Sequence, residues 1–347
     1  MGYWMFIFDH QKWYDLYEKN CSLKTQDEWY AEGKPNLAIG LIYFLTGLIF
    51  ELSYIPFMIA MVRKEFFQYS CYKFMFMMGI YDIFILPCNG IITGIQVMKG
   101  EHFCHNPKLY YLTGVTGVVG FYGVTTLCVI LGFDRFLEMG FPRLAKHAFG
   151  GYKTYLWMCV PILYQGYVGF QLPHIFNIKI YAMHHDPYNL IHGMENNSLF
   201  NFPAFQTFFA WNNSLIISFL TFFYGGLLVI TKMRTKNETS TISKAQKQMT
   251  IQAICVCGEM FAAPLLHIFM LFWEFPVFIE ILAHFSWICL HGDTPIIYFI
   301  LNKSLRKAVM KMAIPSIFKF RDSFLKSSVA TKTAANRVDA SISYIQA

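Results

Sequence analysis

Carboxylic acids lie within the long apolar stretches of the 347-residue chain, among them Glu51, Asp82, Glu259 and Asp293. A charge at the centre of a membrane is unfavourable by at least about 2.5–3.5 kcal/mol, and no Lys or Arg lies at the same depth to neutralise these acids. Asp82, in FMFMMGIYDIFILP, and Asp293, in CLHGDTPIIYF, could face each other and share a proton or a cation. Alternatively, each acid is protonated and hydrogen-bonded as a structural core group.

A second group of charges ends the third apolar stretch, in LGFDRFLEM, where Asp134, Arg135 and Phe136 follow one another. Asp134 can pair with Arg135 or move away from it, so the partner of this arginine can depend on conformation. The alternative is an ordinary anchoring charge beside a membrane. Pro295 and Tyr298, spaced Pro-x-x-Tyr, end the seventh apolar stretch.

Seven apolar segments of membrane-spanning length must position these residues. They cover 37–62, 73–97, 109–133, 154–176, 207–231, 249–272 and 277–301, each near the roughly 20 residues that a helix needs to cross a bilayer. Their interiors contain no Lys or Arg, and the loops place 21 of the 28 Lys and Arg on one side and 7 on the other. By the positive-inside rule the first side is cytoplasmic and the N-terminus is extracellular. The predicted fold is an all-α membrane protein, a seven-transmembrane helix bundle.

Composition and charge agree with this fold, since 55% of the residues are hydrophobic and 14% are charged. The net charge of +7 does not require nucleic acid, because the basic residues lie in short loops and a tail where anionic membrane lipid explains them. We expect an extracellular segment at 1–36, the bundle at 37–302, a short amphipathic juxtamembrane helix at 303–313 and a disordered cytoplasmic tail at 314–347.

Cysteines and sequons mark the predicted outer side. Of nine cysteines, only Cys21 and Cys104 lie in extracellular segments, which predicts one disulfide; two separate thiols are the alternative. Asn20 and Asn196 begin glycosylation sequons on the same side. The sequon at Asn237 lies on the cytoplasmic side and should stay unmodified.

Other function classes leave weaker signals. Four histidines lie in the apolar segments without the spacing of a metal site, so we predict neither a metal nor a cofactor: His174, His267, His284 and His291. The buried acids and the prolines within five segments would suit a proton- or cation-coupled transporter or channel. The chain lacks the internal repeats of many transporters, and this class remains the alternative.

Taken in order, the motifs resemble those of a G-protein-coupled receptor, and more closely those of a nematode serpentine chemoreceptor of class T. The resemblance runs from about residue 20 to residue 306. It is carried by FELSYIPFMIAMV (50–62), SCYKFMFMMGIYD (70–82), the loop around Cys104, GFDRFLEM (132–139), HGMENNS (192–198) and HGDTPIIYFILNKSLR (291–306).

The resemblance implies a receptor, not an enzyme, that binds a small chemical cue and activates a heterotrimeric G protein. It places the protein at the plasma membrane of a sensory cell, with the cilium as the expected site, and leaves the oligomeric state open. The residues it assigns to G-protein coupling and switching are Asp134, Arg135, Phe136, Pro295 and Tyr298. We add Lys244 and Lys247, basic residues at the inner end of the sixth helix, where the receptor pattern would have an acid.

The chain departs from the general receptor pattern at several of these positions. Phe136 replaces the usual Tyr, Thr294 replaces the usual Asn, and Asp293 lies one residue early, about 100° around the helix. Candidate ligand contacts are polar or aromatic residues in the outer helix halves, each equally compatible with core packing: Tyr111, Gln165, Gln171, His267 and Trp287.

Overall fold

The computed structural model describes residues 2–170, 173–191, 193–194, 203–236, 244–270, 273 and 275–313. Its α-helices, numbered in chain order, are α1 (Gly2–Phe8), α2 (His10–Trp13), α3 (Gln26–Glu32), α4 (Leu37–Met61), α5 (Lys64–Phe67), α6 (Ser70–Leu86), α7 (Thr93–Lys99), α8 (Pro107–Gly140), α9 (Pro142–Phe149), α10 (Lys153–Val168), α11 (Pro203–Lys236), α12 (Lys244–Met270), α13 (Val277–Gly292), α14 (Thr294–Leu301) and α15 (Lys303–Ala313). Asn196, Asn237 and the tail at 314–347 lie outside the described residues.

Seven helical spans form the bundle: α4; α6 continued by α7; α8; α10; α11; α12; and α13 continued by α14. Among the described residues, four helices are long and apolar enough to cross a membrane, Leu37–Met61, Ser70–Lys99, Pro107–Gly140 and Thr207–Met233. Shorter apolar helices cover Thr250–Leu266 and Val277–Gly292. We call the face covered by α1–α3 the N-terminal face and the face carrying α9 and α15 the C-terminal face.

Helix α8 lies at the centre of the bundle. Of its most apolar stretch, 78% is buried, against 22% for α4, and it contacts α6, α10, α11 and α12. Tyr122, Leu127 and Leu131 are fully buried on it and join the largest hydrophobic cluster. The central helix therefore carries Asp134 and Arg135 to a buried position near the C-terminal face.

Helix irregularities coincide with prolines and with close helix contact. Pro87 is the first residue of a π-helical turn, Pro87–Ile92, between α6 and α7, and Pro295 is the second residue of α14, directly after the break at Asp293. A Cβ added to Gly90 in the π-helical turn would lie 2.9 Å from the Cα of Gly47 on α4. The two backbones therefore touch where both residues lack a side chain, as small-residue contacts in membrane bundles do.

The fourth span is shorter than predicted. Helix α10 ends at Val168, and the strands β1 (Ile175–Asn177) and β2 (Ala182–His184) pair antiparallel with Phe176 opposite Met183. Pro173 lies between the helix and β1 instead of inside the span. Proline lacks a backbone donor and disfavours helix at the residue before it, so the chain leaves the helix before this point.

The N-terminal segment covers the ends of the bundle helices. Trp13, Tyr17 and Trp29 are completely buried there and cluster with the first turns of α8. The Sγ atoms of Cys21 and Cys104 lie 2.01 Å apart, which is the disulfide predicted from the cysteine positions. The bridge ties the segment to the turn that precedes α8.

Candidate functional site

Asp82 is the centre of a buried hydrogen-bonded chain that joins three spans. Its Oδ1 lies 2.8 Å from Nδ1 of His291 on α13, and its Oδ2 accepts a hydrogen bond of 2.8 Å from the Tyr54 hydroxyl on α4. The same hydroxyl lies 2.9 Å from the His291 carbonyl oxygen. All three side chains are 0–1% exposed, so their polar atoms depend on one another.

Trp287 extends this chain by one helical turn. Its indole N–H lies 3.0 Å from Nε2 of His291, and because an indole nitrogen can only donate, Nε2 must accept. Nδ1 then carries the hydrogen and donates to Asp82. This arrangement assigns a neutral imidazole, since a second ring proton would face the indole N–H. We call Asp82, Tyr54, His291 and Trp287 the polar centre.

The other predicted buried acids do not join Asp82 directly. Glu259 on α12 lies close to Asp293 at the break between α13 and α14, and Oδ1 of Asp293 is enclosed with no hydrogen-bond partner among the described residues. The two oxygens of Asp82 are bonded to Tyr54 and His291, so no direct hydrogen bond joins Asp82 to Asp293 in the described part of the chain. Glu51 on α4 has an enclosed Oε2 with no hydrogen-bond partner among the described residues.

Arg135 is buried at the end of α8 and paired with its neighbour. It is 2% exposed, and its Nε and Nη2 donate to Oδ2 of Asp134 at 2.9 and 2.5 Å. Oδ1 of Asp134 accepts a 2.6 Å hydrogen bond from Ser70, the first residue of α6. Asp134 therefore holds Arg135 and the start of the second span together.

The remaining predicted switch residues belong to α8, α14 and α12. Phe136 packs on Phe222 and Phe223 of α11. Tyr298 is 1% exposed and packs on Phe57, while Pro295 is buried in the first turn of α14. Lys244 and Lys247 belong to α12, but their side chains lie outside the described part of the chain.

Asn302, which the sequence does not single out, joins three elements at the C-terminal face. Its Nδ2 donates to the Tyr72 hydroxyl at 2.7 Å and to Oε1 of Gln252 at 2.8 Å. Its Oδ1 accepts from the backbone N–H of Leu305 at 2.9 Å and so caps α15. An Asn just before an amphipathic helix is a sequence signal for a cap, but not for its contacts with α6 and α12.

A cavity of about 60 Å³ lies on the N-terminal side of the polar centre. It exceeds the roughly 10–15 Å³ that one water needs. Its lining is apolar and aromatic except for one imidazole: Val118, Phe121, His174, Met183, Phe209, Ala263, Trp287 and Leu290. Trp287 therefore belongs both to the cavity wall and to the polar centre.

The other ligand candidates lie elsewhere. Tyr111 is buried beneath the N-terminal segment and its hydroxyl donates to the Gly2 carbonyl at 2.9 Å. Gln165 on α10 donates to the Val119 carbonyl at 3.0 Å. Gln171 and the side chain of His267 lie outside the described residues. Trp287 is thus the one candidate with a described side chain that lines the cavity.

Charged and imidazole groups stabilise the N-terminal face. Burial acts to raise the pKa of Glu32, but Lys179, whose Nζ lies 2.7 Å away, and Lys24 outweigh it and hold this pKa below its ordinary value. Burial lowers the pKa of His102 to about 3, and its ring stacks on Trp29 at 4.4 Å. Asn20 is only partly exposed and its Nδ2 is enclosed.

Within the described residues, no group of three His, Cys, Asp or Glu side chains could hold a metal ion. Hydrogen bonds join the side chains of the polar centre, which belong to α4, α6 and α13. The sequence indicates His291 only as a possible metal ligand and does not single out Tyr54. The apolar segments around both residues show no pattern that would pair them.

The overall architecture is that of seven-helix receptors. The crystal structure of squid rhodopsin matches with a TM-score of 0.60, covering 85% of this chain and 87% of that one, at 12% sequence identity. At this identity the likeness concerns the fold alone, and it confirms the predicted fold class.

The sequence comparison identifies the family. The model of the serpentine type 7TM GPCR chemoreceptor family Srt matches residues 4–322, so the chain belongs to this family and is a multi-pass membrane protein. It is 26% identical over 306 residues to serpentine receptor class T-55 of Caenorhabditis elegans, covering 84% of this chain and 79% of that relative. It is also 26% identical over 183 residues to G-protein coupled receptor 55 of Mus musculus, covering 51% of each.

Proposed function

We propose that the chain is a chemosensory G-protein-coupled receptor that binds a small, uncharged, mainly apolar chemical cue in the cavity beside Trp287. One observation carries the proposal: Trp287 lines the cavity and also donates to His291, which in turn contacts Asp82. A molecule in the cavity would contact the indole ring of Trp287, which is the first member of this hydrogen-bonded chain. The apolar lining favours an uncharged cue, because an unpaired charge would lose its hydration there.

The cue would act through its different affinity for two arrangements of the helices. Displacement of the Trp287 ring would break the bond from its indole N–H to His291. The imidazole could then change its proton or its partner, and the contacts of Asp82 with α4 and α13 would change together. Helix α14 continues from α13 toward Tyr298 and Asn302, which supports a route to the C-terminal face.

The C-terminal face would bind a heterotrimeric G protein. Asp134, Arg135 and Phe136 lie near the end of α8, α14 leads from Pro295 and Tyr298 toward the same face, and Lys244 and Lys247 would add positive charge at the start of α12. Since most basic residues belong to this side, the positive-inside rule makes it cytoplasmic and the N-terminus extracellular. We place the receptor at the plasma membrane of a sensory cell, in its cilium.

Expression in a reporter cell, with a panel of volatile and water-soluble cues, tests the proposal. Trp287→Phe keeps an aromatic cavity wall but removes the donor to His291, and we expect it to weaken the response at least about fivefold. The matched control is Trp211→Phe, on the lipid-facing side of α11, where the ring is 65% exposed. Equal responses from both variants would contradict the role of the polar centre.

Dependence of the response on G-protein signalling distinguishes a receptor from a transporter or channel. Arg135→Ala should abolish the cue response, whereas Arg143→Ala, at an exposed position on α9, should preserve it. The neighbouring buried acids Glu259 and Asp293 would also suit a proton-coupled transporter or channel. Cue-dependent current or uptake in cells without heterotrimeric G proteins would overturn the receptor mechanism.

A further inference from the structure

A second, larger cavity opens at the C-terminal face, away from the cue cavity and the polar centre. Its volume is about 590 Å³. It lies between the start of α6, the end of α8, helix α9 and the start of α10. Three basic side chains line it, Lys73, Arg135 and Lys146, against one acid, Glu138. We call it the basic cavity.

Neither lysine of the basic cavity has an acidic partner among the described residues. The Lys73 ammonium lies 4.5 Å from the centre of the Tyr155 ring, and no ion pair includes Lys73 or Lys146 in the described part of the chain. On the N-terminal face, by contrast, Lys24 and Lys179 both pair with Glu32. The ammonium groups of Lys73 and Lys146 are therefore available to bind an external anion.

Backbone N–H groups and the Arg135 guanidinium add donors to this charge. Ser70 and Thr154 line the cavity in the first turns of α6 and α10; their hydroxyls donate to Asp134 and to the Phe149 carbonyl, and neither helix has a side-chain cap. Partial positive charge and unpaired N–H groups gather at such helix starts. Arg135 donates two hydrogen bonds to Asp134, while a guanidinium carries five N–H donors.

Aromatic side chains indicate that the basic cavity opens at the membrane interface. Tyr69 lines the cavity, Tyr155 lies under Lys73, and Tyr152 precedes α10; these rings are 48%, 48% and 70% exposed. Exposed Tyr and Trp are typical of the headgroup level of a bilayer. Basic pockets at this depth on the cytoplasmic side suit phosphorylated lipid headgroups.

We infer that the basic cavity binds the phosphorylated inositol headgroup of a membrane lipid, with Lys73 and Lys146 as its main cationic contacts. Phosphate groups provide several acceptor oxygens for these ammonium groups and for the remaining donors of Arg135. The volume and the several donors favour a polyphosphorylated ring over a single phosphate. The headgroup would lie beside the Asp134–Arg135 pair, so its binding can alter the partner of Arg135.

Binding of the full-length receptor in lipid nanodiscs tests this inference without any cue or G protein. The probe is phosphatidylinositol 4,5-bisphosphate in phosphatidylcholine, compared with phosphatidylserine at equal total charge. Lys73→Gln with Lys146→Gln should lower bisphosphate affinity at least about tenfold. The control removes two charges from the amphipathic helix α15, by Lys307→Gln with Lys311→Gln, and should change affinity less than threefold. Thermal unfolding of each variant verifies that it is folded.

Each other outcome would overturn the inference. An equal loss in the α15 control, or equal binding of phosphatidylserine, would reduce the effect to general attraction to anionic lipid. Soluble inositol trisphosphate that binds as tightly as the lipid would assign the site to a free phosphate compound. Displacement of the lipid by an acidic peptide, with tighter binding of the peptide, would assign the cavity to a protein partner.

Discussion

At the scale of single residues, the polar centre depends on matching donors to acceptors. Tyr54 and His291 each donate a hydrogen bond to one oxygen of Asp82, and Trp287 donates to the remaining ring nitrogen of His291. A carboxylate has only acceptors, so it suits two facing donors. In a buried site, a donor left without an acceptor is unfavourable by about 1–3 kcal/mol.

Asp82→Asn should therefore lower the free energy of unfolding by about 1–3 kcal/mol, because the amide NH2 would face either the Tyr54 hydroxyl or the His291 N–H. Thermal unfolding of the purified receptor in nanodiscs measures the change. Glu51→Gln is the control, since Oε2 of Glu51 has no described partner. A loss as large in Glu51→Gln would contradict the assignment.

Asp134→Asn should raise signalling in the absence of any cue. The substitution removes the charge that holds Arg135, while the amide can still accept from Ser70. We expect cue-independent nucleotide exchange on the G protein to rise severalfold. Ser70→Ala, which keeps the Asp134–Arg135 pair, should raise it less; the opposite order would show that the contact with α6 matters more than the ion pair.

At the scale of elements, helix contacts and caps position these residues. The backbone of α4 touches the π-helical turn at Gly47 and Gly90, which brings Tyr54 on α4 and Asp82 on α6 within hydrogen-bond reach. The N-terminal segment is a second structural element, held by buried aromatic rings, by a disulfide and by buried neutral imidazoles.

Gly90→Leu should separate α4 from the second span. A Cβ at this position meets backbone atoms of α4, which cannot rotate away as a side chain can, and overpacking of this kind lowers stability by about 1–3 kcal/mol. The yield of folded receptor and its melting temperature measure the effect. Gly258→Leu, on α12 with nothing within 4 Å, should be nearly neutral.

The N-terminal face should lose stability as pH falls below about 6.5. Burial lowers the pKa of both His102 and His184 to about 3, so unfolding takes up protons in this range and becomes easier by up to about 1.4 kcal/mol per histidine and pH unit. Burial raises the pKa of Asp186 to about 6, which favours the folded state on acidification and opposes the two histidines.

Hydrogen exchange of the segment 2–36 at pH 7 and pH 5.5 measures this effect. We expect smaller protection factors at the lower pH, once the slower intrinsic exchange of amides in acid is corrected for, and a smaller pH dependence of these factors in His102→Gln, which has no titrating ring. An unchanged pH dependence in this variant would assign the loss of stability on acidification to His184 or to other groups.

At the scale of the whole molecule, two features constrain the chain: the disulfide, and the uneven distribution of Lys and Arg along the sequence. The disulfide closes a loop with a sequence separation of 83, and the sequence assigns 21 of the 28 Lys and Arg to one predicted side of the membrane. The first restrains the unfolded chain, and the second is the basis of the predicted orientation of the bundle.

Cys21→Ser should reduce stability by about 4–5 kcal/mol on the chain-entropy estimate for a loop of this length. It should also abolish the mobility difference between reducing and non-reducing gels. Cys159→Ser, at an exposed thiol on α10, is the control and should change neither property. A wild-type receptor that migrates identically on both gels would contradict the bridge.

The sequence predicts the seven spans, the cysteine pair and the isolated acids, because each follows from composition along the chain. It misplaces the end of the fourth span, since an apolar run such as Ile175–Asn177 suits a strand as well as a helix. It also leaves the partners of Asp82 open, because Tyr54 and His291 are separated from Asp82 by 28 and 209 positions.

Hydrophobicity and charge, which are local properties, determined by themselves that this chain is a membrane bundle and which residues are difficult to bury. Only the tertiary structure decided how the polar atoms of those residues find hydrogen-bond partners: Asp82 with Tyr54 and His291, and Arg135 with Asp134. The reason is geometric, since a hydrogen bond between helices requires two side chains within about 3 Å. That distance depends on the helix packing and on the irregular turns at Pro87 and Asp293.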